Sequence, residues 1–379
     1  WPGSPLPERQ WIDSVTGDHP VFVSRLDGHM ALANTAALRL SGITSETPDP
    51  PGGTIVRDPR TGEPTGVLKD AAMSPVYAVM PAPSTSQQDS ALARAMHHAA
   101  LVGVTGVSNV SAGWRDLAAY QRAREQGRLT TRVNLYFPLA SWRAVADTVS
   151  RDGPGDDWIR VDGVKGFVDG SLGSTTAWFY ETYDDAPETT GLIQTEEDSL
   201  RAWISAADSA GLQVVVHAIG DRANALLLDI YDSVTTAHGE RDRRFRIEHA
   251  QHLRPADIAR FGRLGVIASM QPYHAIDDGR WAEKRIGPER IGTTYAFRSL
   301  LDSGARLSFG SDWTVAPLNP MEGVYAAVTR RTLDGLNPDG WVPDQKITLE
   351  EALRAYTSGN AWAMHREERL GILREGYLA

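Results

Sequence analysis

The chain has 379 residues, of which 41% are hydrophobic and 23% are charged, and its formal net charge is −10. These values are typical of one large globular domain or two smaller ones. The negative charge argues against a nucleic-acid partner or an anionic membrane surface. No apolar run approaches the roughly 20 residues of a membrane-spanning helix. The lack of cysteine excludes disulfides and thiolate metal ligands, and cytoplasm is the default expectation for the compartment.

Residues 1–90 lack the regular alternation of elements found later, and we interpret them as an insertion or lid that covers a pocket. Within them, residues 19–43 predict a strand, a polar DGH turn, and a helix over about 31–40 that ends at Gly42. Residues 46–66 are rich in Pro and Gly, which indicates turns.

Residues 91–365 alternate between strand and helix patterns, which is typical of an α/β fold with a parallel sheet and right-handed crossovers. The pattern predicts a (β/α)8 barrel of the TIM type, with seven of its eight strands present and the first expected upstream of Trp1. We expect residues 366–379 to begin a C-terminal return segment, and the chain to be a fragment. The predicted strands are 104–110, 132–138, 161–168, 213–217, 244–249, 266–272 and 306–312, and the predicted helices are 90–102, 115–126, 196–210, 222–237, 255–264, 295–303, 320–331 and 348–365.

Three polar side chains follow the barrel period. His217 and His249 are 32 residues apart, close to the roughly 31 residues of one barrel unit, and Asp312 follows 63 residues later. Because the carboxyl ends of parallel strands form one rim, we expect these side chains to meet there. Two imidazoles and a carboxylate suit a divalent metal, most readily zinc with an open coordination position. Taken singly, each histidine could instead be structural.

Lys165 lies near the end of a predicted buried strand, where an amine must be neutralised, paired or chemically altered. A carbon dioxide adduct on Lys165 would be an anionic ligand able to bridge two ions, whereas the plain alternative is a lysine that reaches solvent. The segments VKGFVDGSLGSTTAW, VVVHAIGDRAN, RIEHAQHL, SMQPYHA and SFGSDW, together with DGHMALANTAAL, resemble the amidohydrolase superfamily. The chain is most similar to its family-3 amidohydrolases, which include N-substituted formamide deformylases.

This resemblance implies a metal-dependent barrel that hydrolyses C–N bonds in small-molecule amides through a metal-activated hydroxide. Lys165 would be the bridging ligand, His217 and His249 would bind one ion, and Asp312 would be both ligand and proton shuttle. The family carries a His-x-His pair on its first strand. This sequence contains no such pair, and we expect it to have been lost with an upstream segment.

Three further residues are candidates for substrate binding, each with a plain alternative. His29 could hold a substrate carbonyl or be a turn residue, and His274 could line the rim or be a loop histidine without a role. Trp313 could form a pocket wall or pack beneath the rim. Two other functions stay open: an ester or lactone hydrolase or deaminase on the same centre, and an inactive barrel that binds a small molecule. A homo-oligomer is compatible with either.

Overall fold

The computed structural model describes residues 5–378 and divides their strands between two sheets. The smaller sheet is antiparallel, and its strands lie side by side in the order β1 (Phe22–Ser24), β2 (Met30–Ala33), β4 (Pro64–Asp70) and β3 (Gly53–Arg57). Its buried apolar side chains, among them Ile55, Leu68 and Met73, form a hydrophobic cluster separate from that of the main sheet. The elements of this region are α1 (Gln10–Thr16), β1 (Phe22–Ser24), β2 (Met30–Ala33), α2 (Thr35–Leu40), β3 (Gly53–Arg57), β4 (Pro64–Asp70) and α3 (Ser74–Val79).

The helix predicted for residues 31–40 is wrong in its first part. Residues 30–33 are a strand, because they pair with both β1 and β4. Asn34 then starts α2 as its N-cap, with its side-chain oxygen accepting a hydrogen bond from the Ala37 N–H at 2.9 Å. A side chain that satisfies a free N–H of the first turn favours helix initiation at that point.

The larger sheet contains seven parallel strands that lie side by side in chain order. This confirms the α/β class and the predicted number of strands. Its strands are β5 (Gly106–Asn109), β6 (Arg132–Pro138), β7 (Ile159–Phe167), β8 (Gln213–Ala218), β9 (Arg246–His249), β10 (Ile267–Met270) and β11 (Leu307–Phe309).

Helices precede, connect and follow these strands, and some of them differ from the prediction. Three of them, α6 (Trp142–Asp152), α10 (Pro272–Asp278) and α11 (Ala282–Ile291), have no predicted counterpart. The single helix predicted for residues 348–365 is two helices, since Thr357 has a non-helical φ of −121° and ψ of −90°. The helices are α4 (Thr85–Leu101), α5 (Trp114–Glu125), α6 (Trp142–Asp152), α7 (Glu197–Ser209), α8 (Asp221–His238), α9 (Pro255–Leu264), α10 (Pro272–Asp278), α11 (Ala282–Ile291), α12 (Phe297–Asp302), α13 (Pro320–Thr329), α14 (Leu349–Tyr356) and α15 (Ser358–Ala363).

The two edge strands, β5 and β11, both contact the short segment around α15. Ser308 of β11 donates a hydrogen bond to Asn360 at 2.6 Å, and the Ser108 hydroxyl of β5 lies 3.4 Å from the Met364 sulfur. The sheet is therefore curled, and the carboxyl ends of its strands share one rim, where barrels of this kind place their active sites. Among residues 5–378, no helix combines the length and apolar character needed to cross a membrane.

Candidate metal centre

The structure brings the predicted strand-end residues to this rim. Lys165 lies in β7, His217 in β8, His249 at the end of β9, and Asp312 just after β11. The ring centroids of the two histidines are 4.5 Å apart. Burial lowers the pKa of Lys165, although the charges of Glu248 and Asp312 oppose that shift. Lys165 is therefore buried near the carboxylates of Glu248 and Asp312, and its burial favours the neutral form of its amine.

His274 joins this group more closely than expected. One ligand atom each from His249, His274 and Asp312 lie within 4.8 Å of one another, whereas His217 is outside that set among the described residues. The Nε2 atom of His274 is buried and has no hydrogen-bond partner in residues 5–378. A buried polar atom left unpaired is destabilising by about 1–3 kcal/mol. The donor set and this unpaired nitrogen therefore fit a divalent ion such as zinc.

Neighbouring acceptors fix which ring nitrogen of each histidine is protonated. The Nε2–H of His217 donates to the Gly170 carbonyl at 3.0 Å, and the Nδ1–H of His249 donates to the Gln271 side-chain oxygen at 2.8 Å. Because both partners can only accept, the lone pairs lie on Nδ1 of His217 and Nε2 of His249. Metal-binding histidines are oriented in this way by their outer hydrogen bonds.

The electrostatics give these groups the protonation states of ligands. Burial lowers the pKa of His217 well below its ordinary value and also lowers that of His249, so both rings are neutral near pH 7. Loss of hydration opposes ionisation of Asp312, but its attraction to a proton held by His249 or His274 at low pH lowers its pKa, so near pH 7 the carboxylate is ionised and the rings are neutral. Neutral imidazoles beside an ionised carboxylate are what a divalent metal requires.

Two of the predicted substrate residues take different positions. The ring of His29, from the smaller sheet, has its centroid 5.1 Å from that of His217. Trp313 follows Asp312 at the rim and is 43% exposed. Its ring lies 5.5 Å from that of His98 on α4, so it packs on a helix while leaving one side open to solvent.

Several residues that orient these side chains were not predicted from the sequence. Gln271 and Gly170 hold the two histidines, and Asp70 accepts a hydrogen bond from His29 at 2.6 Å. Gly170 and Gln271 lie in the quoted segments VKGFVDGSLGSTTAW and SMQPYHA, but neither was assigned a role in the site. The 41 residues between His29 and Asp70 leave no local signal for their pairing.

Comparisons with known proteins identify relatives of the whole chain. The chain is 43% identical over 389 residues to Protein LONG AFTER FAR-RED 3 of Arabidopsis thaliana, covering 100% of this chain and 66% of that protein. It is 28% identical to the N-substituted formamide deformylase of Arthrobacter pascens, covering 98% of this chain and 69% of that enzyme. The chain thus spans about two thirds of the length of these curated relatives.

A solved structure agrees in fold. An uncharacterized metal-dependent hydrolase from Pyrococcus horikoshii matches with a TM-score of 0.78 and 30% identity, over 99% of this chain and 72% of that one. The profile described as "Amidohydrolase family" (Amidohydro_3) matches residues 1–379. With its parallel curled sheet and its rim of histidines and carboxylates, this chain belongs to the amidohydrolase family.

Proposed function

We propose that this chain forms most of a metal-dependent hydrolase that cleaves the C–N bond of a small amide resembling an N-substituted formamide. The observation that carries the proposal is the group of His249, His274 and Asp312, whose ligand atoms lie within 4.8 Å of one another. Similarity to a named formamide deformylase supports the amide as substrate class. Family membership supports hydrolysis as the reaction.

The ion we propose is zinc, present as one or two ions. His217, His249, His274 and Asp312 would hold it, together with Lys165 after reaction with carbon dioxide. A bound zinc ion acidifies water and polarises a carbonyl group. The unpaired His274 Nε2 and the oriented lone pairs of the other two histidines support this ligand set.

Asp312 moves the proton in the proposed reaction. Its lowered pKa keeps the carboxylate ionised, so one carboxylate oxygen accepts a proton from the attacking water. The same oxygen then donates that proton to the amide nitrogen, which must be protonated before it leaves as an amine. Burial opposes a charge on His29, but the hydrogen bond and charge of Asp70 raise its pKa. Once protonated, His29 donates from Nε2 to the substrate carbonyl oxygen from the side of the smaller sheet, and the exposed face of Trp313 accommodates an apolar N-substituent.

Lys165 is proposed to be carboxylated. Burial lowers its pKa and so favours the neutral amine, the form that attacks carbon dioxide, forming one N–C bond and releasing one proton to give an anionic carbamate. Carbon-13 bicarbonate should therefore label the intact protein at Lys165 and leave a Lys165→Met variant unlabelled. Equal labelling of the two proteins would exclude Lys165 as the site.

The function is tested with the intact protein, purified without chelator and with bicarbonate present. N-substituted formamides, other amides, esters, lactones and ring amines are assayed before and after metal removal. We expect formamide hydrolysis that is lost on chelation and restored by zinc. Turnover of esters, lactones or ring amines alone would replace the amide proposal, and no turnover by a zinc-loaded protein would indicate an inactive binding barrel. An Asp312→Asn variant should lose most of this turnover, whereas Asp339→Asn, which changes an exposed carboxylate, is the control and should keep it.

A further inference from the structure

We propose that Asp70 and Gln194 are positioning residues that hold the His29 imidazole toward the candidate site. The smaller sheet would then supply a side chain that contacts the substrate, in addition to covering the candidate site. This inference rests on the proposed function and extends it to residues outside the barrel strands.

The contacts around His29 converge on one carboxylate oxygen. His29 lies between β1 and β2, and its Nδ1–H donates to Asp70 Oδ1 at 2.6 Å. The side-chain amide of Gln194, from the loop that follows β7, donates to the same oxygen at 2.7 Å. Asp70 Oδ1 is therefore held by Gln194 from the loop after β7, and it in turn orients the imidazole of His29. A carboxylate that accepts from one ring nitrogen sets both the tautomer and the orientation of the ring.

Asp70 is held under conditions that are unfavourable for a carboxylate. Its side chain is 1% exposed, and among residues 5–378 its second oxygen, Oδ2, has no hydrogen-bond partner. Its backbone φ is 48°, a value uncommon for a residue other than glycine. Unsatisfied buried groups and unfavourable backbone angles are retained mainly where function requires them.

Attachment of the smaller sheet does not depend on Asp70 alone. The Lys69 ammonium donates to the Ser174 carbonyl at 2.7 Å, and the Ser171 hydroxyl donates to Asp27 at 2.6 Å. Both bonds already join the sheet to the loop after β7. The hydrogen bond from His29 to Asp70 is therefore not needed to hold the smaller sheet in place, and we assign it the orientation of the His29 ring.

The orientation leaves one nitrogen of His29 for a substrate. Since Nδ1 is occupied by Asp70, Nε2 is the remaining polar atom of the ring, and the ring lies beside His217. The His29 side chain is 14% exposed, so it is held by the protein yet accessible from the site. Precise placement of such a contact group matters because a shift of about 1 Å can lower a rate about 100-fold.

A double-mutant cycle in the intact protein tests whether Asp70 acts through His29. His29→Ala and Asp70→Asn should each lower kcat/KM about 10- to 100-fold, and Gln194→Leu should lower it less. The His29→Ala/Asp70→Asn double variant should be no slower than His29→Ala, because nothing is left to position. A multiplicative loss in the double variant would overturn the proposal. Lys69→Met is the docking control, and its effect should be the same with and without His29.

A second measurement does not depend on catalysis. Nitrogen-15 spectra of histidine-labelled protein report the tautomer of His29 directly. We expect protonated Nδ1 in the parent and loss of that preference in Asp70→Asn, with thermal unfolding unchanged in cooperativity. An unaltered tautomer would overturn the positioning role. If the parent hydrolyses no substrate but the tautomer changes as expected, the proposed function fails while the positioning of His29 stands.

Discussion

Gln271 gives the sharpest test of the candidate metal centre, since it is the acceptor through which the barrel orients His249. Its side-chain oxygen accepts the Nδ1–H of that ring at 2.8 Å, and the residue is only 4% exposed, so bulk water cannot replace it. Gln271→Leu removes the acceptor and nearly preserves side-chain volume. The ring must then leave its Nδ1–H unsatisfied or move the proton to Nε2, the nitrogen that would bind the ion.

The expected magnitude follows from that choice. A buried N–H without a partner is unfavourable by about 1–3 kcal/mol. Since about 1.4 kcal/mol corresponds to a tenfold change in an equilibrium constant, zinc binding should weaken roughly 10- to 100-fold. That range agrees with the usual effect of removing an outer partner of a metal-binding histidine.

The assay is a competition between the intact protein and a chromophoric chelator for zinc. Gln271→Glu keeps an acceptor for His249 and should retain most of the affinity, which makes it the matched control. Thermal unfolding of the metal-free proteins establishes that both variants fold. A zinc dissociation constant unchanged in Gln271→Leu would refute the assignment of Nε2 of His249 as a ligand atom.

Three further predictions concern catalysis, packing and pH. Asp312→Asn should lower kcat about 100- to 10,000-fold, because it removes the proton carrier. The unfolding temperature should not change, since Asn tolerates the φ of 56° at this position. Unchanged turnover would remove Asp312 from the mechanism. In urea unfolding, Gly170→Ala should destabilise the fold by about 1–3 kcal/mol, because an added Cβ would lie 1.9 Å from the Thr176 hydroxyl. The control is Gly292→Ala, whose added Cβ would meet open space and should leave the free energy of unfolding nearly unchanged. Burial raises the pKa of Asp278 to about 7, so this carboxyl group binds a proton more tightly in the folded protein than in the unfolded chain. The resulting stabilisation should be fully present below about pH 4 and should be lost as the pH rises through 7. Asp278→Asn should flatten that dependence between pH 5 and pH 8, and an identical slope in the variant would contradict the shift.

The elements that sequence predicted best carry their own boundary signals. Strand β6 spans Arg132–Pro138 as predicted, because its apolar residues, which include Leu135, Tyr136 and Phe137 in succession, are followed by a proline. Helix α9 spans Pro255–Leu264 as predicted, with proline at its start and Gly265 in the left-handed conformation after its end. The positions of His217, His249 and Asp312 followed from barrel periodicity alone, since each comes at the end of a strand.

What sequence could not predict depends on contacts between distant segments. The run from Met30 to Leu40 has helical composition throughout, and only pairing with β1 and β4 makes its first part a strand. The inclusion of His274 with His249 depends on α10, a helix of seven residues that begins directly after β10 and has no clear sequence pattern. Neither feature is encoded within the few residues that form it, so local propensity is overridden by tertiary packing.

The loop between β7 and α7 explains why the two sheets should be considered one functional unit. Its Gly170 carbonyl accepts from His217 in the barrel, while its Gln194 amide holds Asp70 in the smaller sheet. The Cβ that Gly170 lacks would lie 2.9 Å from Asp70 Oδ2, so the two contacts are in direct van der Waals proximity. We therefore expect a displacement of Asp70 to shift Gly170, whose carbonyl accepts from His217. A change in the smaller sheet should accordingly alter metal affinity as well as substrate contact, although none of its residues is a proposed ligand.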